Sequence, residues 1–207
     1  MKSNLIIFAF LIITSFTIFL SGTGELWIYH YDKIQQGEYW RLLTGHVVHF
    51  SNIHLWNDTI GLSICIWLAC IWHCSLLGPI LFGSFCISAG IFFIDPNMSL
   101  YGGLSGIVFC LFTSVCLEVF LQKKRYSYIA GISIIIIFIW LLITLTFSPA
   151  ETLTIDIFEN ESVEKEGYAL VAVLAHFMGV ISALLYKTPK LFRYLKHKKA
   201  KENLPFS

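Results

Sequence analysis

Charged residues are scarce in this chain of 207 residues, in which Asp, Glu, Lys and Arg together make up 13% of the sequence. A soluble domain carries about 25%, so the shortage excludes an ordinary water-soluble domain. The few charges lie in short stretches between long apolar runs, and 57% of the residues are hydrophobic. A formal net charge of +1 and the lack of a Gly-rich phosphate loop give no reason to expect nucleic acid as a partner.

Paired cysteine motifs are also missing. All six cysteines lie inside or at the ends of apolar runs, and none belongs to a CxxC pair. They are Cys65, Cys70, Cys74, Cys86, Cys110 and Cys116. Their spacing predicts neither a disulfide framework nor a zinc site. Because buried cysteine usually acts as a small hydrophobic residue, we assign that role to all six.

Six apolar segments are long enough, and poor enough in charge, to cross a bilayer. They predict an all-α membrane protein, a bundle of six transmembrane helices that forms a single domain over 1–207. The predicted spans cover about 5–20, 54–72, 76–94, 104–121, 128–147 and 168–186. The first span also resembles a cleaved signal peptide, but the five spans that follow it favour a retained helix.

The basic residues predict the orientation of the bundle. Three of them, at 123–125, separate spans four and five, and seven more follow span six. By contrast, residues 151–166 between spans five and six contain six acidic residues and one lysine. Because basic loops stay in the cytoplasm, we expect both termini to be cytoplasmic. The long loop at 22–53 then faces outward.

Ionisable side chains inside the spans are few, and such residues are candidates for function. His54 and Asp58 open span two, one helical turn apart on the same face. Glu118 lies near the inner end of span four, where we interpret it as structural. His176 lies eight residues past Tyr168, about 12 Å along the helix at about 1.5 Å per residue. Taken alone, a histidine on an apolar helix is more often a packed core residue than a catalytic one.

A serine at the start of span four changes the interpretation of His176. The span opens with YGGLSG at 101–106, in which Ser105 can be a simple helix cap. The same position suits a nucleophile, because free backbone N–H groups and the helix dipole can hold an oxyanion beside it. Small residues on both helices permit a close crossing; they are Gly103, Gly106, Ala175 and Gly179. A serine with a histidine base is the minimum apparatus for acyl transfer.

The sequence resembles the rhomboid family of intramembrane serine proteases from about Trp40 to Tyr186. The matching pieces follow the family's order on the expected spans. They are Trp40-Arg41 in the outer loop, His49 and His54 around the start of span two, Gly103-Leu104-Ser105-Gly106, and Ala175-His176-x-x-Gly179. Each motif is weak alone, but the ordered set on a chain with six predicted spans is specific.

By position, the resemblance implies a catalytic dyad in which Ser105 is the nucleophile and His176 the general base, with neither metal nor cofactor. His54 and the backbone N–H of Ser105 would hold the oxyanion, and Gly103 belongs to the same substrate-orienting site. The resemblance also implies a structural outer loop, to which Trp40, Arg41 and His49 belong.

One position departs from the family's pattern. Family members commonly carry asparagine four residues after the first histidine, and Asp58 stands there in this chain. An ionised carboxylate only accepts hydrogen bonds, so it would repel an oxyanion unless it is protonated or turned toward His54. Asn57 points about 100° away on an ideal helix and is a poor substitute. We therefore expect Asp58 to orient or charge His54.

Asp58, the short six-span form and the run WRLLTGH at 40–46 look most like the rhombosortase branch. This likeness implies a multi-pass protein of the bacterial inner membrane whose active site opens to the periplasmic side. Its substrates would be membrane-anchored surface or secreted proteins that end in a Gly-Gly segment, a transmembrane helix and a basic tail. Water or an amine would then resolve the acyl-enzyme.

Two other classes of function remain open at this point. One is a catalytically inactive rhomboid-like protein that binds membrane helices, which the aspartate at position 58 favours. The other is a metalloprotein with His46, His49, His54 and His176 around an ion, against which the missing HExxH motif argues.

The depth of the two catalytic candidates poses a geometric problem. Ser105 lies eighteen residues before Lys123, but His176 lies only eleven before Lys187. Equal depth requires span six to continue past Lys187, where Pro189 makes a straight helix doubtful. We therefore expect a kink or tilt near that proline. We also expect polar loops to dip inward between 95 and 102, so that water reaches the site.

Overall fold

The computed structural model describes residues 2–96, 99–122 and 166–202, together with 128, 129, 132, 136 and 139. Within 166–202, the side chains are described for 173–196. The elements in chain order are α1 (Lys2–Ser21), α2 (Gly24–Trp27), β1 (Tyr29–His30), α3 (Tyr31–Gln35), α4 (Arg41–Thr44), a 3₁₀ turn (Gly45–Val47), α5 (Asn52–Ile71), α6 (Leu77–Ile94), β2 (Leu100–Tyr101), α7 (Ser105–Leu121) and α8 (Glu166–Glu202).

Long apolar helices dominate the fold. Within the described residues, α1, α5 and α6 are long and apolar enough to cross a membrane, and α7 is a shorter apolar helix. Helices therefore occupy five of the six predicted spans, while the fifth span, 128–147, lies outside the described residues except at a few positions. The protein is mostly helical with three candidate spans, and the count of six remains a prediction.

Apolar side chains cover the outside of the bundle, as expected for a protein surrounded by lipid. Exposed large hydrophobic residues occur along every candidate span, and examples are Phe10, Ile13, Trp67, Phe85 and Phe93. The buried core lies between α5, α6, α7 and α8. At the end of α1 that faces the α5–α6 turn, the buried amide of Asn4 donates to the Cys74 carbonyl at 2.8 Å and accepts from the Leu76 N–H.

The outer loop is held by one buried guanidinium. Arg41 donates from Nη1 to the carbonyl oxygens of Glu25 and Ile28, both at 2.8 Å. Its Nε also donates to the Glu38 carboxylate at 2.5 Å. Arg41 is buried, whereas the neighbouring Trp40 is half exposed. The three bonds join the start of the loop to α4.

A short antiparallel strand pair, absent from the all-α prediction, joins the outer loop to the segment before α7. Tyr29 in β1 lies opposite Tyr101 in β2, and His30 lies opposite Leu100. Two-residue strands are too short to produce a readable alternation of polar and apolar residues, which is why the sequence did not predict them. Of the loop expected to dip inward at 95–102, residues 97 and 98 lie outside the described residues.

Helix α8 continues past Lys187 and through Pro189 to Glu202, so the proline does not end it. Glu118 of α7 explains the continuation, because its buried carboxylate binds Lys187 at 2.9 Å and also Lys190. These two lysines flank the proline and hold both sides of it against α7. These contacts agree with the structural role that the sequence suggested for Glu118, whose described ion-pair partners both belong to α8.

The crossing of α7 and α8 depends on glycine. A Cβ atom at Gly179 would overlap the carbonyl oxygen of Gly106, and one at Gly106 would lie 3.1 Å from the carbonyl oxygen of Ala175. The two backbones are therefore in direct contact beside Ser105 and His176. The close approach expected from the small residues of both helices is present.

We predict that Gly179→Ala lowers the thermal stability of the protein by several degrees. Alanine is more favourable than glycine in an isolated helix by about 1 kcal/mol. A lower unfolding temperature would therefore reflect the overlap of the new methyl group with Gly106, because overpacking of this kind costs about 1–3 kcal/mol. Circular dichroism of the detergent-purified protein measures the unfolding temperature. Gly24→Ala is the matched control, because a Cβ there meets only the end of the Val48 side chain at 3.3 Å. Equal unfolding temperatures for both variants would contradict the prediction.

Candidate active site

Ser105 begins α7 directly after a peptide unit that is held at both ends. The Tyr101 hydroxyl donates to the carbonyl oxygen of Gly103 at 3.2 Å. The N–H of Leu104, on the same peptide unit, donates to Asp58 Oδ2 at 2.7 Å. Burial raises the pKa of the Tyr101 phenol, so it remains a protonated donor. The backbone that leads into the candidate nucleophile is therefore fixed before any substrate binds.

Gly103 is required at its position for two reasons. Its φ of +122° lies in a region that side chains other than glycine's rarely adopt. A Cβ atom there would also lie 2.6 Å from His54 Nε2 and 3.3 Å from Asp58 Oδ2. The missing side chain lets the start of α7 approach His54 and Asp58 of α5.

One carboxylate oxygen contacts a histidine of α5 and a histidine of the loop before that helix. Asp58 Oδ2 lies 3.0 Å from His49 Nε2 and 3.3 Å from His54 Nε2. The side chains of His49 and Asp58 are buried at 0% and 7% exposure, whereas His54 keeps 29%. The sequence allowed an aspartate at position 58 if it were either protonated or turned toward His54, and Asp58 faces His54. His49, assigned to the structural loop, lies on the same oxygen.

His176 lies beside this cluster, with its ring on Phe109 at a centroid distance of 4.4 Å. His54 and Asp58 are close enough to interact with it electrostatically. Its Nε2 is buried and has no hydrogen-bond partner among the described residues. The expected bond from the Ser105 hydroxyl to this nitrogen is therefore not made. Such bonds are often long without substrate and tighten only in the reacting complex.

His46, which the sequence grouped with the other histidines, lies elsewhere. Its Nε2 is 3.1 Å from the carbonyl oxygen of Ser84 and 3.0 Å from the hydroxyl of Ser88, both in α6. Its Nδ1 is 3.4 Å from the Tyr101 hydroxyl. The alternative of four histidines around one ion therefore does not hold for His46, whose ring contacts Ser84 and Ser88 of α6 instead. This residue instead connects α6 to the peptide unit before Ser105.

Sequence reasoning missed the contacts of His46 and His49, and only a weak signal was available. Two serines one turn apart, Ser84 and Ser88, interrupt an apolar span, and polar groups there need a partner. For His49, the signal was Asp58 itself, since a buried carboxylate requires several donors. Among the described residues, His49, His54 and Asp58 each offer one possible metal-binding atom, and these three atoms lie within 4.8 Å of one another.

The family model of the Rhomboid domain matches residues 36–192, which include the outer loop, the His49–Asp58 segment, Ser105 and His176. No curated protein matches the chain.

We predict that acid destabilises the protein through His46. Burial lowers the pKa of this imidazole to about 4, against about 6.5 when the chain is unfolded. Between pH 4 and pH 6.5 the native state therefore binds fewer protons than the unfolded state. The contribution of His46 to the free energy of unfolding is complete above pH 6.5 and is lost as the pH falls toward 4. The free energy of unfolding should fall by roughly 2 kcal/mol between pH 8 and pH 5.

Unfolding in denaturant at pH 8, 6 and 5 measures the acid effect. His46→Gln is the test variant, because glutamine can still hydrogen-bond Ser88 but does not titrate. Its stability should depend less on pH than that of the wild type. An unchanged pH dependence in this variant would assign the acid effect to other groups.

Proposed function

The chain belongs to the rhomboid family of intramembrane serine proteases, and we propose that it is an active endopeptidase with a Ser105–His176 dyad. The observation that carries the proposal is the backbone contact of α7 and α8 at Gly106 and Gly179. Ser105 precedes Gly106 by one residue, and His176 precedes Gly179 by about one turn. A contact at these glycines brings both side chains to one crossing inside the bundle.

In the proposed reaction, Ser105 Oγ attacks the carbonyl carbon of the scissile peptide while His176 Nε2 takes the hydroxyl proton. His176 Nε2 has no hydrogen-bond partner among the described residues and is available for this step, and the Phe109 ring packs against the imidazole. The tetrahedral intermediate collapses when the protonated histidine gives its proton to the leaving amine. Water, or an amine in a transfer reaction, then releases the acyl group from Ser105.

The oxyanion would be held by the backbone N–H of Ser105 and by His54. Both donors belong to fixed elements, since Ser105 begins a helix and His54 contacts the buried Asp58. The N–H of Leu104 is already used by Asp58 and adds no free donor. Asp58 is in this account a positioning residue that fixes both the His54 ring and the start of α7.

The substrates we propose are membrane-anchored proteins with a Gly-Gly segment, a C-terminal transmembrane helix and a basic tail, as for the rhombosortase branch. A peptide bond inside a helix is shielded by the helix's own hydrogen bonds. Glycine-rich segments unwind most readily and would best expose a bond to Ser105. We place the protein in the bacterial inner membrane, with cytoplasmic termini and an active site that opens outward.

A catalytically inactive member of the family is the second candidate function. Two observations favour it: His176 Nε2 has no partner among the described residues, and the negatively charged side chain at position 58 lies next to the expected oxyanion site. Such a protein would bind transmembrane helices without cutting them. The presence of both Ser105 and His176 favours the active enzyme.

We predict that Ser105→Ala abolishes cleavage of a reporter with a Gly-Gly segment, a transmembrane helix and a basic tail. The variant lacks the nucleophile but leaves the backbone contacts of α7 in place. Immunoblotting of co-expressed reporter measures cleavage, and a fluorophosphonate probe tests whether the serine is reactive. Thr113→Ala, a hydroxyl deletion elsewhere in α7, is the matched control. Cleavage at the wild-type rate by Ser105→Ala would exclude the proposed mechanism, and an unlabelled wild type that does not cleave would favour the inactive candidate.

We predict a clear difference between two substitutions of Asp58. Asp58→Asn keeps an acceptor for the Leu104 N–H and adds an amide donor near the oxyanion, so kcat should remain within about tenfold of the wild type. Asp58→Ala removes every contact of the carboxylate and leaves His54 without its support. Its kcat should fall about 10²-fold, which is typical of a missing oxyanion donor. Steady-state kinetics in detergent separates kcat from KM. Equal activities of the two variants would contradict a positioning role.

A further inference from the structure

We propose that His49, His54 and Asp58 form a binding site for a divalent transition-metal ion, such as Zn²⁺, that inhibits the protein. Binding of the ion is an inference from the geometry of these three residues alone. Only the inhibitory effect rests on the function proposed above, because that function assigns His54 to the oxyanion. The ion would be a regulator rather than a catalytic cofactor.

The three donor atoms already have nearly the spacing of a metal site. In a tetrahedral zinc site with bonds of about 2.0–2.1 Å, neighbouring donor atoms lie about 3.3 Å apart. His54 Nε2 and His49 Nε2 lie 3.3 and 3.0 Å from Asp58 Oδ2, and each of the three residues offers one possible ligand atom within 4.8 Å of the other two. Small rotations of the side chains would therefore suffice to surround an ion.

The chemistry of the donors selects the class of ion. Two imidazoles and one carboxylate suit zinc and other first-row transition metals with positions left open for water or another ligand. Calcium and magnesium prefer sites composed of oxygen atoms. No thiol belongs to the cluster, so the site would not depend on the redox state of the cysteines.

The charge of the cluster also favours a cation. The Asp58 carboxylate is buried, and no lysine or arginine pairs with it in the described part of the chain. Its partners there are two imidazoles and one backbone N–H. A buried carboxylate without a full positive partner is unfavourable, and a divalent ion would supply the missing charge.

Two further features predict that binding is reversible. His54 remains partly exposed, which provides access for an ion from one side of the cluster. His49 Nδ1, by contrast, is buried without a hydrogen-bond partner among the described residues. Ligation of the ion through His49 Nε2 would leave the ring proton on Nδ1, where no described residue accepts it. The absence of such a hydrogen bond to a ligating histidine typically weakens a metal site by about 10–100-fold.

An ion at this site would remove His54 from the proposed reaction. A His54 ring that ligates an ion is held in place by it and has no proton on Nε2 to donate, so the ion and the intermediate would compete for the same side chain. Inhibition should therefore appear mainly in kcat.

Metal binding is tested directly with the purified full chain in detergent, without reference to activity. Co²⁺ serves as the spectroscopic probe and Zn²⁺ as its competitor. We expect a dissociation constant for Zn²⁺ of about 10 µM or less, well below the value for stray surface histidines, and a Co²⁺ spectrum without the near-ultraviolet bands of a thiolate ligand. A thiolate spectrum, or no binding below about 1 mM, would overturn the proposal.

Three variants locate the site. Asp58→Asn and His49→Gln should each weaken Zn²⁺ binding at least about tenfold, and circular dichroism checks that each variant is folded. His73→Asn is the matched control: this histidine is exposed, and asparagine tolerates its φ of +53°. Unchanged binding in both cluster variants, or a loss in the control, would contradict the site.

Inhibition is measured on the same preparations. Zn²⁺ at ten times its dissociation constant should lower kcat of the wild type at least about fivefold, and a chelator should restore it, because most molecules are then occupied. Binding without inhibition would retain the site but remove its regulatory role. An inactive wild type that still binds Zn²⁺ through Asp58 and His49 would count against the proposed function and not against the site.

Discussion

The carboxylate of Asp58 lies where three segments of the chain meet, and the geometry of the candidate site depends on its contacts. Its Oδ2 accepts from His49 in the outer loop and from the Leu104 N–H before α7, and it contacts His54 one turn earlier in α5. A carboxylate can accept several hydrogen bonds at once, whereas an amide oxygen with the same shape carries no charge to strengthen them. The aspartate therefore organises these segments more strongly than asparagine would, at the expense of a negative charge near the proposed oxyanion site.

A second constraint is the contact between the α7 and α8 backbones. Glycine at positions 106 and 179 lets the helices approach until main-chain atoms touch, and in a bilayer such packing replaces the hydrophobic drive that joins helices in water. The Glu118 carboxylate anchors the other end of the same helix pair through Lys187 and Lys190. The helix pair is thus stabilised by close backbone packing at one end and by ion pairs at the other.

The sequence predicted those parts of the site that depend on local spacing. His54 and Asp58 are four residues apart on one helix, and a glycine lies one residue after Ser105 and another three residues after His176, so these local arrangements could be foreseen. Contacts across long separations could not be foreseen. His46 bonds to residues 38 and 42 positions away, the β1–β2 pair is two residues long, and the path of α8 through Pro189 depends on a carboxylate in another helix. In each case tertiary partners outweighed the local signal.

The length of α8 has a consequence for its position in the membrane. Its 37 residues span about 55 Å along the helix, whereas the hydrocarbon layer of a bilayer is about 30 Å thick. The helix is therefore roughly 25 Å longer than a straight crossing needs, and this excess is accommodated by tilt or by extension into the headgroups. The basic residues from Lys187 onward lie at the C-terminal end of α8, where anionic headgroups can pair with them.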